Sequence, residues 1–200
     1  DFAPMYPRSA NKPLQAVGML RAGLDLDHDL LALVCASHSG ESFHVEGVRR
    51  ILGMSGLDQS ALQMPAEWPL DQQAREDAIR SGGSKSPLAM NCSGKHAGMI
   101  RTAVVNGWSI ASYRDPDHPM QLAIVQAIDD FANEQAANLA IDGCGAPLYA
   151  ISLYGLARAF GRIASASDGA EHRVATAIRS HPEYVSGTQR DELELHRAIP

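Results

Sequence analysis

The sequence predicts an α+β domain in which helix predominates. Apolar residues recur at helical spacing from Leu14 to Ser180, one segment reads clearly as a strand, and helices and strands do not alternate as a doubly wound sheet requires. With 200 residues, 45% of them hydrophobic, the chain can bury roughly 70% of its unfolded surface around one core. No Gly/Ser-rich linker or internal repeat divides it, so residues 1–200 read as a single domain.

The elements follow in order. After Pro13, the residues Leu14, Val17, Met19 and Leu20 share a helix face, and Gly23 supplies a stop. Asp29 to Ala36 holds a continuous apolar run, Leu30 to Cys35, which fits a buried strand or a buried helix equally well. Phe43 to Leu52 is helical, with Val45, Val48, Ile51 and Leu52 on one side. Short helices near Asp58 to Leu62 and Leu70 to Ile79 are separated by the breakers Pro65 and Pro69. Lys95 to Val105 and Pro119 to Ala136 continue the helical pattern. Asn138 to Ile141 is the strand, and Leu148 to Phe160 and Glu171 to Ser180 are the last helices, with a turn at Asp168 to Ala170.

Seventeen Lys plus Arg against 23 Asp plus Glu give a net charge of −6 without a basic block, so nucleic acid is not an expected partner. No apolar run reaches the roughly 18 to 20 residues that span a bilayer, and Asp1 to Pro7 carries no export signal. Three cysteines, Cys35, Cys92 and Cys144, are the wrong number for a disulfide framework and point to a reducing, cytoplasmic location. The opening Asp1-Phe2-Ala3-Pro4 and the ending at Pro200 read as the edges of a piece of a longer chain.

Lysine occurs only at Lys12, Lys85 and Lys95, which draws attention to each. Ser9-Ala10-Asn11-Lys12 is a Ser-x-x-Lys element at a helix entrance, a spacing that sets hydroxyl and amine on one face. A lysine with a depressed pKa can take the serine proton; the plainer reading is a Ser N-cap followed by a solvent-facing lysine. Pro13 disfavours helical geometry at Lys12 and leaves the helix start open between the two. Cys92-Ser93-Gly94-Lys95-His96 and Asp142-Gly143-Cys144-Gly145 offer two thiolates from glycine-containing turns, a soft pair suited to zinc, or else two buried apolar cysteines. General chemistry nominates His96 as a third ligand, since Lys95 serves only as the neutral amine. Ser37-His38-Ser39-Gly40-Glu41 is a polar turn, either a pocket rim or a connection that caps the next helix. Asp115 to Pro119 reads as a turn and helix start.

Together, Tyr6 to Gln15, Cys35 to Glu41, Asn91 to Met99, Asp115 to Pro119 and Asp142 to Pro147 resemble, in order, the blocks of the rhizobial-type, inducible, zinc-containing L-asparaginases. This group is unrelated to the threonine-dependent bacterial asparaginases. The resemblance implies a fold like that of serine β-lactamases and penicillin-binding proteins, and hydrolysis of L-asparagine to L-aspartate and ammonia. It implies Ser9 as catalytic serine, Lys12 as its activating partner, and Ser37 as the serine of a second Ser/Lys pair whose lysine lies after Pro200. It implies Cys92, Lys95 and Cys144 as zinc ligands and Asp142 as an acidic residue beside the metal, in a supporting or substrate-amine role; His96 is read with Asp142 as a substrate contact. It also implies further segments on both sides of residues 1–200, and a piece with an exposed sheet edge invites pairing into a homodimer. A Ser-x-x-Lys peptidase or β-lactam-reactive protein, and a zinc-stabilised remnant without turnover, are the competing expectations.

Overall fold

The computed structural model describes residues 1–199, and it is a helix-rich α+β arrangement with one small antiparallel sheet. Strand β1 (Pro4–Met5) leads through a 3-10 turn at Arg8–Asn11 into α1 (Lys12–Arg21). Pro13 sits in the first turn of α1, where its missing N–H costs nothing. Lys12 nevertheless adopts helical angles, φ −59° and ψ −38°, and so opens the helix against the usual preference before proline. From Lys12 to Leu20 every residue of α1 is buried, which makes it the central helix of the core.

The ambiguous apolar run is a helix, α2 (His28–Val34). Leu30 to Val34 are all buried because α3 (Ser42–Gly53), the 93–105 helix and two later helices cover α2 from several sides. A helix enclosed in this way loses its polar face and its periodicity. Further on come α4 (Gln72–Arg80), α5 (Ser93–Val105) and α6 (Pro119–Ala132). The segment near Asp58 is a 3-10 turn, Gln59–Ala61, capped by the Asp58 side chain. Helix α6 stops four residues before the expected Ala136, because Asn133 takes a left-handed conformation (φ 53°) that closes the helix.

Strand β2 (Asn138–Ile141) appears where expected, but the predicted helix from Leu148 begins instead as a strand, β3 (Pro147–Ser152), before turning into α7 (Leu153–Ser165). All six residues of β3 are buried between β1 and β2, in the order β1-β3-β2 with both pairings antiparallel. A central strand buried on both faces lacks alternation and so resembles a helical stretch. Helix α8 (Gly169–Ser180) is followed by two helices that the periodicity did not reveal, α9 (Pro182–Val185) and α10 (Asp191–Ala198). In α10, acidic residues in the first turn and His196 and Arg197 in the last complement the helix dipole. Among the described residues no helix is long and apolar enough to cross a membrane.

Close backbone packing fixes the two helices that matter most below. A Cβ on Gly94 would lie 2.3 Å from the Leu33 carbonyl oxygen, so α5 can approach α2 only with glycine there. Gly94→Ala is therefore expected to destabilise the protein by about 2 to 3 kcal/mol in urea unfolding. An unchanged midpoint would show that α5 can move away from α2 freely.

Candidate active site

The entrance of α1, the end of α2, the start of α5 and the β2–β3 turn converge. Lys12 is 1% exposed, and its ammonium donates to the Ala36 carbonyl at 2.5 Å and to Ser37 Oγ at 2.8 Å. These partners follow the C-terminus of α2, where a cation also meets the negative end of the helix dipole. Burial pushes the Lys12 pKa below its ordinary value, opposed by the neighbouring Cys92.

The expected partner of Lys12 was Ser9, three residues earlier. Ser9 lies exposed in the 3-10 turn; the Lys12 backbone N–H donates to the Ser9 carbonyl, but among the described residues no hydrogen bond joins the Ser9 hydroxyl to the Lys12 amine. The lysine amine turns instead to Ser37, which the sequence reading had given to a different lysine. Arg8 beside Ser9 sits at φ 49°, a sparsely populated conformation for a residue other than glycine, and its guanidinium pairs with Asp142 Oδ1 at 3.0 Å. That ion pair ties the Ser9 turn to the turn carrying Cys144. Sequence reasoning missed Arg8, whose sole signal was its place next to Ser9.

The Ser37–Glu41 turn is a cap and a junction at once. Glu41 caps α3, where the Glu41 N–H donates to His44 Nδ1. The Glu41 carboxylate accepts from Ser39 Oγ at 2.7 Å and from the Thr188 N–H and hydroxyl at 2.8 and 2.6 Å. His38, fully buried, accepts the Gly40 N–H at Nδ1; its Nε2 proton therefore goes to Ser93 Oγ, 2.9 Å away, beside Cys92. Burial keeps His38 neutral, with a pKa well below the usual histidine value.

Cys92 precedes α5, Lys95 lies in its first turn and Cys144 sits between β2 and β3; all three are buried. Lys95 Nζ is 3.3 Å from Cys144 Sγ. Hydrogen bonding between the two thiols pulls the Cys144 pKa down and pushes that of Cys92 up, and burial adds to the rise at Cys92. The Cys92 thiol donates to Asn91 Oδ1 at 3.5 Å, which leaves Cys144 as the sulfur that faces the Lys95 amine. His96 is fully buried, and burial pushes its pKa down to about 4. Its Nδ1 meets the Tyr113 hydroxyl at 2.8 Å, while Nε2 has no hydrogen-bond partner among the described residues; Cys144 lies beside the ring.

Among the described residues no three His, Cys, Asp or Glu side chains group as metal ligands, so a metal here needs the Lys95 amine beside the two sulfurs. Two soft sulfurs and one nitrogen donor fit zinc with an open fourth position. His118, by contrast, caps α6 by accepting the Met120 N–H, within the segment read as a turn and helix start. A cleft of about 1080 Å³ lies along Ser39, Glu41, Asp71 and Thr188 and includes none of Lys12, Ser37, Cys92 or Cys144.

The family model for L-asparaginase II matches residues 2–200. The chain belongs to the L-asparaginase II family. No curated protein matches it significantly. The family match covers the Ser9 turn, the Ser37 turn, the Cys92–His96 helix start and the Cys144 turn in one span, and it supports a hydrolase role for this L-asparaginase II family chain.

Proposed function

We propose that the chain hydrolyses the side-chain amide of L-asparagine by serine–lysine chemistry beside a zinc site. The observation that carries this reading is the buried Lys12 ammonium in contact with a serine hydroxyl, in a chain of the L-asparaginase II family. A lysine whose pKa is lowered by burial spends a larger fraction of its time as the neutral amine and can act as a base. The fold is read, through the same resemblance, as related to serine β-lactamases and penicillin-binding proteins.

In the proposed reaction Ser9, on the open rim, attacks the amide carbon, and its proton passes to neutral Lys12, directly or through Ser37. Lys12 returns that proton to the leaving nitrogen, ammonia departs, and an aspartyl ester remains on the serine. Water attacks the ester, the serine recovers its proton, and L-aspartate is released. Asp142, which pairs with Arg8, would meet the substrate ammonium. Cys92, Lys95 and Cys144 would hold the zinc; when bound, it supplies a Lewis acid that fixes the substrate's amino-acid end or polarises water. The three free, buried thiols support a reducing compartment such as the cytoplasm.

A second reading, favoured by the 2.8 Å Lys12–Ser37 contact, makes Ser37 the nucleophile. Ser9→Ala and Ser37→Ala separate the two. Loss of the acyl intermediate in Ser9→Ala alone, by mass spectrometry after quenching, supports Ser9; loss in Ser37→Ala alone supports Ser37. Ammonia release at wild-type rate by both variants would end serine catalysis. Stable acylation by a labelled penicillin, without turnover of L-asparagine, would favour a β-lactam-reactive protein, and zinc binding without either reaction a non-catalytic remnant.

A further inference from the structure

The chemistry of the ligands leaves a question about His96, which by residue type is the better zinc ligand yet lies one position beyond Lys95. Its hydrogen bonds answer it. The Tyr113 hydroxyl accepts the Gln63 N–H at 3.2 Å and lies 2.8 Å from His96 Nδ1. Tyr113 is fully buried, and the described residues offer its hydroxyl proton no other acceptor. A buried hydroxyl proton without an acceptor is costly, so Tyr113 donates to Nδ1. Neutral imidazole carries one proton, and with Nδ1 accepting, that proton must reside on Nε2. Nε2 is the atom left without a hydrogen-bond partner, on a ring that lies beside Cys144.

The ring is also held rigidly. Tyr113 stands edge-on to His96, with ring centroids 5.6 Å apart and planes at 84°. Gln121, itself fully buried, donates to the Tyr113 carbonyl at 2.8 Å and so anchors that residue to α6.

We propose that Tyr113 is a positioning residue that fixes His96 as its Nε2–H tautomer, so that His96 presents a hydrogen-bond donor to the Cys144 sulfur. A nitrogen that bears a proton has no lone pair for a metal. His96 is thereby excluded from the ligand set and instead supports the charge on the thiolate, leaving the third nitrogen position to Lys95. The consequence for zinc rests on the metal site proposed above; the tautomer does not.

The test uses the ¹⁵N-labelled protein as purified, with long-range ¹H–¹⁵N correlation of its histidine rings, assigned through His96→Gln. The expected spectrum shows a protonated Nε2 and an unprotonated Nδ1 for His96, and Tyr113→Phe redistributes the proton toward Nδ1. A wild-type His96 protonated at Nδ1, or with Nε2 shifted as a metal-bound nitrogen, overturns the proposal. So does an Nε2–H tautomer unchanged in Tyr113→Phe. In parallel, competition with a chromophoric chelator should show zinc affinity lowered roughly 10- to 100-fold in Tyr113→Phe and in His96→Leu. His96→Gln, which keeps an N–H near the Nε2 position, should recover part of it. Full affinity in His96→Leu overturns the support to Cys144. Absence of zinc from the wild type would remove the metal reading alone, and the ring spectrum would still decide what Tyr113 does.

Discussion

Lys12→Met is expected to reduce ammonia release from L-asparagine by roughly 10²- to 10⁴-fold, the scale of a lost general base. Methionine keeps an unbranched side chain in the space that Lys12 fills and removes only the ionisable end. The same substitution should change the pH dependence of folding. Burial sets the folded-state pKa of Lys12 below its unfolded value near 10.5, so between the two the unfolded chain binds more protons. Wild-type stability therefore gains from Lys12 as pH rises through that window, and below it the ammonium carries its full burial penalty. Methionine carries none, although it forfeits the bonds to Ala36 and Ser37 at every pH. The stability of Lys12→Met relative to wild type should accordingly be most favourable below the folded pKa and decline as pH approaches 10.5. Urea unfolding across pH, with initial rates on the same samples, measures both effects. Near-wild-type turnover would remove Lys12 as base, and a relative stability that climbs with pH would contradict the buried-cation account.

The residues that make this site were legible in the sequence, but their partnerships were not. Rarity drew attention to Lys12 and Lys95, and glycine-containing turns to Cys92 and Cys144. Each of these residues is indeed buried at the junction of α1, α5 and the β2–β3 turn. Spacing of three along a helix suggested Ser9 for Lys12, whereas the amine reaches across to Ser37, twenty-five residues away. That choice depends on how α2 docks beside α1, which no local pattern encodes. The fold divides along the same line. Amphipathic helices such as α3 were readable, because one face meets water. The enclosed elements α2 and β3 were not, because burial on all sides erases the period that separates helix from strand. His96 shows the limit for chemistry: residue type alone nominated it as a ligand, and only the Tyr113 hydroxyl, seventeen residues on, indicates which ring nitrogen carries the proton.

Cys144→Ala should bring the zinc content of the protein from about one per chain to near zero. Lys95 Nζ lies 3.3 Å from that sulfur, and Cys92 and His96 are its neighbours. Removing it leaves Cys92 as the sole thiolate and deprives the buried Lys95 of its anionic neighbour, so no tetrahedral set survives. The wild type should also gain stability as zinc is added, by about 2.7 kcal/mol when free metal is a hundredfold above its Kd, and Cys144→Ala should not respond. Cys35→Ala is the control, since Cys35 is buried at the end of α2 and makes no contact with Lys95 or Cys144 by hydrogen bond. It should retain zinc while costing about 1 kcal/mol in packing. An unchanged zinc to protein ratio in Cys144→Ala would return Cys92 and Cys144 to the core as apolar residues. If zinc is lost, the kinetic constants separate its roles. A raised KM with kcat preserved makes the metal an anchor for the amino-acid end of the substrate, and a fall in kcat places it at the reacting carbonyl or water. Because Arg8 and Asp142 join the Ser9 turn to the turn that carries Cys144, an anchoring metal would still act on the position of the nucleophile, through the substrate on one side and the protein on the other.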